Sequence, residues 1–159
     1  MHNKEVITEK KTEAAKCNCI SKPHCPLSNQ CQITNIIYKA KITSSLRNYH
    51  EKVYYGTSEG TFKQRYGNHK KSFNHEKHRT DTELSKEYWR LKNLKANPQV
   101  QFHILKRCRP TKRTGICYLC LNEKLFIIEH QGSNLLNQRN ELISKCRHKN
   151  KFKLMNHKT

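Results

Sequence analysis

The sequence predicts an α/β domain in which a small three-stranded antiparallel sheet is flanked by helices and preceded by a Cys-rich zinc knuckle. Three observations carry this reading. Residues 36–42 and 100–104 alternate with the period of half-buried strands, and Val53-Tyr54-Tyr55-Gly56, after a polar turn, reads as a second short strand. Capped helical patterns lie between and after them. Ahead of them, Cys17, Cys19, Cys25 and Cys31 fall in a loop-rich stretch containing Pro23 and Pro26. The chain of 159 residues suits about one domain of the usual ~100–200 residues.

Taken in order, residues 1–16 are a polar tail or linker, 17–34 the knuckle, and 35–154 the main domain with a basic C-terminal run. In the first strand Ile36, Tyr38, Ala40 and Ile42 share a face, with Lys39 and Lys41 opposite. A polar turn over 44–52 leads to Val53-Tyr54-Tyr55-Gly56, which completes a hairpin. Thr57 or Ser58 is the expected cap of a helix reaching Phe73, with Phe62, Tyr66 and Phe73 on one stripe and Arg65 and His69 on another. After a charged loop at 74–80, Thr80 and Glu83 have capping-box spacing for a helix that turns Leu84, Tyr88, Leu91 and Leu94 inward. Pro98 follows it, then a strand with Val100, Phe102 and Ile104 on one face. Past a basic loop at 107–115, a helix runs from Cys117 to His130, its apolar body expected to be Leu121, Leu125 and Ile128. A last helix is expected near 138–146.

Lys and Arg total 32 against 12 Asp and Glu, a formal charge of +20. That excess makes a polyanion the expected partner, with nucleic acid, and DNA first, ahead of acidic membranes or proteins. Lys70, Lys71, Lys106, Arg107, Arg109, Lys112, Arg113, Arg147, Lys149, Lys151 and Lys153 are the candidates for a phosphate track. No apolar run approaches the ~20 residues that span a bilayer, and residues 1–16 carry no apolar signal core. The expected location is therefore the nucleus or cytoplasm, without secretion or a membrane partner. There thiols stay reduced, and clustered Cys bind metal more often than they pair.

Leu, Ile, Val and Phe make up only about a fifth of the chain, so the core needs help from elsewhere. Cys17, Cys19, Cys25 and Cys31 can supply it as a tetrahedral Zn²⁺ site, with His24 a substitute ligand and disulfides or free thiols the competing reading. Cys117 and Cys120 have knuckle spacing, and Cys146 with His148 would close a second zinc site. Cys108 is an alternative to His148. Glu123 lies three residues beyond Cys120, so that second site would also hold its helix in register.

The element order places Tyr38 and Tyr54 on adjacent strands, Arg65 and His69 on the next helix and Glu123 on a later one. These groups suit phosphodiester hydrolysis. The tyrosines can position and deprotonate water, Arg65 can fork onto phosphate oxygens, His69 can shuttle a proton and Glu123 can hold Mg²⁺. Ile36-Ile37-Tyr38, Tyr54-Tyr55-Gly56, Arg65-x3-His69, Glu123 and Asn137 together resemble the signature of GIY-YIG endonucleases over about 36–137. With the knuckle, the resemblance is closest to the GIY-YIG modules of eukaryotic Penelope-like retroelements and covers roughly 17–154.

That resemblance implies a GIY-YIG fold and a single Mg²⁺ or Mn²⁺ on Glu123. It implies tyrosine-assisted attack of water on DNA, with Gly56 and Asn137 in supporting positions. It further implies a nick serving retroelement integration, alongside a reverse transcriptase domain of the same element. Ile36 stands at the first motif's glycine, Tyr55 in the middle of the second and Thr57 where some relatives carry a basic residue just after it, departures that touch substrate preference and rate rather than reaction class. By alternation Tyr54 and Tyr55 face opposite sides, and the motif selects Tyr54.

Two other readings compete. A catalytically inactive, zinc-stabilised nucleic-acid-binding module shares every charge and Cys feature but gives no reason to keep all five candidate catalytic residues. A secreted disulfide-rich basic protein requires a signal segment and paired thiols.

Overall fold

The computed structural model describes residues 17–19, 24–109, 117–138, 146 and 148. Among them, β1 (Ile36–Thr43) and β2 (Lys52–Ser58) form the hairpin, followed by α1 (Phe62–Asn74), a single 3-10 turn (Glu76–His78), α2 (Glu83–Asn93), β3 (Gln99–Arg107) and α3 (Tyr118–Glu129). The strand order is β2-β1-β3 and both pairings are antiparallel, which agrees with the expected three-stranded antiparallel sheet. No helix among the described residues is long and apolar enough to cross a membrane. The expected helix near 138–146 and the tail at 1–16 fall outside or largely outside the described residues, as do Lys112, Arg113, Arg147, Lys149, Lys151 and Lys153.

The central strand explains the layering. Ile36, Tyr38, Ala40 and Ile42 are fully buried on one face, where Tyr54, Phe62, Phe73, Leu84 and Leu91 join them. Ile37 is equally buried on the other face, against Cys108 and Leu119 of α3. A β-bulge between Ile37 and Tyr38 in the β1–β3 register leaves Leu105 on that second side, among the residues of α3. On the first face the knuckle is continuous with the core, since Leu27, Cys31 and Ile33 are buried within it. The carbonyls of Ile33 and Cys31 accept from the N–H groups of Phe62 and Lys63, capping the orphan donors at the start of α1.

The outer edge of β2 is covered by the chain at 134–137. Val53 N–H donates to the Asn134 carbonyl and Leu136 N–H to the Val53 carbonyl. Farther along, the Asn137 side chain takes the place of a strand neighbour, accepting from Tyr55 N–H at 2.8 Å and donating to the Tyr55 carbonyl at 2.9 Å. The edge is thereby closed to further pairing at this point.

Four local expectations are corrected. The α1 cap is Thr61 rather than Thr57 or Ser58, because β2 continues through Ser58 opposite Ile36. Thr61 and Gln64 exchange backbone and side-chain hydrogen bonds in a capping box. The α2 cap is Thr82 with Ser85, not Thr80 with Glu83, because Asp81 N–H is already held by the His78 carbonyl in the preceding turn. Leu94 is 55% exposed, since it lies at the cap position where the chain leaves the helix. Finally, α3 buries Leu119 and Ile127 and exposes Leu121, Leu125 and Ile128. That helix is apolar on both faces, so its sequence does not say which one meets the sheet.

Candidate functional site

Register brings the first residues of the site together. Tyr38 pairs with Gly56 and Ala40 with Tyr54, so Tyr38 and Tyr54 share a face of the hairpin. Tyr55 lies on the other, stacked near Phe126 with its hydroxyl 2.8 Å from His130 Nδ1. Gly56 is a steric requirement: a Cβ there would fall on the hydroxyl and Cζ of Tyr38, whose ring crosses the glycine backbone.

The α1 helix carries Arg65 and His69 to that ring. His69, placed by its spacing on a face with Arg65, is in fact buried on the core side, seven residues after Phe62. The Tyr38 hydroxyl lies 2.6 Å from His69 Nε2, and Arg65 Nε donates to the same oxygen at 2.9 Å. Burial, and then the Arg65 guanidinium, push the His69 pKa down to about 3, so its ring is neutral. The Tyr38 oxygen accepts from Arg65 and keeps one O–H to give, so a neutral His69 whose Nε2 bears no proton can take a hydrogen bond from it.

The remaining two candidates meet this chain. The Tyr54 ring stands edge-on to His69 at 6.1 Å between centroids. Glu123, on α3, is close enough to act electrostatically on both Tyr38 and Arg65. Burial raises the Tyr38 pKa, with Arg65 opposing the rise and Glu123 adding to it. For Arg65, burial works against the charge, but Tyr38, Tyr54 and Glu123 outweigh it and the guanidinium stays protonated. Four side chains drawn from three other elements are thus grouped around Tyr38, two of them, Arg65 and His69, in contact with its hydroxyl.

Beside this group opens a cleft of about 470 Å³ whose lining includes Arg65, Thr57, Glu59, Asn68 and His148. Thr57 directly follows the second tyrosine motif, whereas Glu59 and Asn68 carry no motif and only proximity in the fold reveals them. Of the basic candidates within the described residues, Lys70 and Lys71 are exposed on α1. Lys106, Arg107 and Arg109 line a separate basic hollow with Tyr118 and Asn122.

The cysteines form the two groups that the spacing predicts, and all eight are free thiols. The ligand atoms of Cys17, Cys19, Cys25 and Cys31 lie within 4.8 Å of one another, and so do those of Cys117, Cys120, Cys146 and His148. Both groups could hold a metal ion, and zinc suits four sulfur or nitrogen donors at this spacing. In the first, Cys19 is pushed up to about 12 by its hydrogen bonds with Cys17 and Cys25, while Cys31 is lowered despite its burial by the Asn18 backbone and Gln32. Crowded thiols that cannot all ionise are what a bound cation would relieve.

In the second group, His148 Nδ1 is equidistant, at 3.2 Å, from all three sulfurs. Neither alternative ligand belongs to either group. His24 is exposed, and Cys108 is buried against Ile37 and Leu119 with Asn122 donating to its sulfur. No protein-family model, curated protein or solved structure matches the chain.

Proposed function

We propose that this protein is a metal-dependent DNA endonuclease of GIY-YIG type that hydrolyses phosphodiester bonds, nicking DNA in the service of retroelement integration. The observation that carries the reading is the hydrogen-bonded chain from Arg65 through the Tyr38 hydroxyl to His69, flanked by Tyr54 and Glu123. Such an arrangement has the parts that attack on phosphorus requires. Arg65 supplies fixed positive charge for the oxygens of a phosphorane-like transition state. Tyr38 and Tyr54 orient water, and the Tyr38 oxygen can take its proton while passing its own to His69 Nε2. An arriving phosphate, being negative, offsets the Arg65 charge and raises the His69 pKa from its low value in the free protein.

Glu123 is the residue that would hold Mg²⁺ or Mn²⁺. A lone carboxylate fits an ion that keeps several of its waters, and when bound the ion supplies Lewis-acid stabilisation of the phosphate oxygens. Lys70, Lys71, Arg107 and Arg109, with the excess of twenty charges, would track the DNA backbone, and a reverse transcriptase domain of the same element is the expected partner.

The test is conversion of supercoiled plasmid with Mg²⁺ or Mn²⁺, comparing the wild type with Glu123→Ala and Tyr38→Phe. Each variant is first checked for folding and for DNA binding. Relaxed circles from the wild type alone support both the activity and the two roles. If all three bind and none cuts, the protein is a zinc-stabilised nucleic-acid-binding module.

A further inference from the structure

The second thiol group and the cleft share His148. Its Nδ1 faces the sulfurs of Cys117, Cys120 and Cys146, while its Nε2 lies 3.3 Å from Thr57 Oγ1. Thr57 is the residue after Gly56, at the point where β2 passes the Tyr38 ring, and it lines the cleft together with Arg65. One imidazole therefore joins a candidate metal centre to the wall of the candidate substrate cleft.

The chemistry of the ring gives this link a direction. An imidazole that ligates through Nδ1 carries its proton on Nε2 and can only donate from that side. Thr57 Oγ1 must then accept, which turns the threonine's own O–H away from His148. Without a metal, either tautomer is open to His148, and Thr57 is free to donate to Nε2 instead.

We propose that Thr57 is a phosphate-contacting residue of the cleft and that His148 is its positioning residue. With Nδ1 committed to zinc, the Nε2–H of His148 fixes the Thr57 hydroxyl as a donor toward a nucleic-acid phosphate oxygen beside Arg65. The inference rests on reading the cleft as the nucleic-acid site, but it does not require that the protein cut. It also implies reciprocity: if metal strengthens the grip on nucleic acid, nucleic acid must strengthen the grip on metal by the same factor.

The experiment uses the full chain loaded with zinc, a fluorescein-labelled DNA duplex and no Mg²⁺, at fixed salt. Duplex affinity is read by fluorescence anisotropy, and zinc release by transfer to a chromophoric chelator with and without the duplex. The phase from this centre is the one whose rate changes in His148→Cys, a variant that keeps four ligands and loses Nε2. Thr57→Val is expected to weaken duplex binding about tenfold, as for a hydrogen bond to a charged group, while Thr57→Ser retains it.

In the wild type, duplex should slow zinc release from this centre about fivefold or more, the lower end of typical coupling between sites. His148→Cys should still hold two zinc ions per chain yet lose that dependence, and Thr57→Val should lose it with every metal ligand intact. Duplex-independent release in the wild type, or full duplex affinity in Thr57→Val, overturns the inference. Coupling without plasmid nicking would sink the nuclease reading alone, nicking without coupling would sink this inference alone, and a wild type that binds no duplex overturns both.

Discussion

Gly56→Ala is the substitution whose cost follows most directly from the coordinates. The new Cβ would overlap the hydroxyl and Cζ of Tyr38, a side chain with 0% exposure hemmed in by Phe62, Phe102 and His69. Restoring ordinary carbon–carbon contact requires the ring to retreat by about 1 Å. With the ring hemmed in, a shift of that size cannot keep both the 2.6 Å contact with His69 and the 2.9 Å bond from Arg65 at good hydrogen-bonding geometry. Overpacking a filled core costs about 1–3 kcal/mol and a lost hydrogen bond about 0.5–1.5 kcal/mol, giving a destabilisation on the order of 2–4 kcal/mol.

Two other glycines serve as internal controls. A Cβ at Gly67, inside α1, meets nothing within 4 Å, so Gly67→Ala should stabilise by about 0.5–1 kcal/mol through helix propensity. At Gly60 the nearest obstacle is the tip of the flexible Gln64 side chain, and the change should be small. Urea unfolding at constant slope ranks the three variants. A Gly56→Ala protein within 0.5 kcal/mol of wild type would refute the claim that Tyr38 is held against that backbone.

Three further outcomes are expected. His69 has an ordinary pKa of 6.5 and a folded value of about 3, so between these the unfolded chain takes up a proton that the folded chain refuses. The stability is complete above pH 6.5 and falls as pH drops toward 3, by up to about 1.4 kcal/mol per unit. The stability difference between wild type and His69→Gln should therefore shrink from pH 7 to pH 5, and a constant difference would contradict a buried neutral ring. Elemental analysis should find two zinc ions per chain, with Cys25→Ser and Cys120→Ser each losing a different one; a ratio of one removes one of the two centres. Glu87 accepts from Tyr49, Lys52 and twice from Arg90, which together hold its carboxyl below the usual range despite burial that pushes it up. Since Lys52 and Arg90 are partly solvated, Glu87→Ala should cost about 1–3 kcal/mol by thermal or urea unfolding, and a neutral result would show that clamp to be idle.

Local pattern carried much of the architecture. Alternation over 36–42 and 100–104 is a direct consequence of the strand period, and it located β1 and β3 and put Tyr38, Ala40 and Ile42 on one face. Because β-strand side chains alternate strictly, the same rule separated Tyr54 from Tyr55 before any contact was known. Thiol spacing likewise marked two candidate metal groups, but it left His24 open as a substitute in the first and Cys108 against His148 in the second, and the fold chose among them.

Tertiary structure decided what periodicity leaves degenerate. Two threonines in each candidate cap region satisfy the same local pattern, and the hydrogen bonds of the neighbouring strand or turn chose Thr61 and Thr82. In α3, apolar residues occur all around the helix, so packing of Leu119 against Ile37 and of Ile127 beside Val53 and Tyr55 chose the buried face. The spacing of Arg65 and His69 places them four apart on one helix but says nothing of depth. Only assembly of the sheet under α1 buries His69 and lowers its pKa, and only the return of the chain to α3 puts His148 against Thr57. Burial and cross-chain proximity are sums over many residues distant in sequence, which is why they appear only once the fold is built.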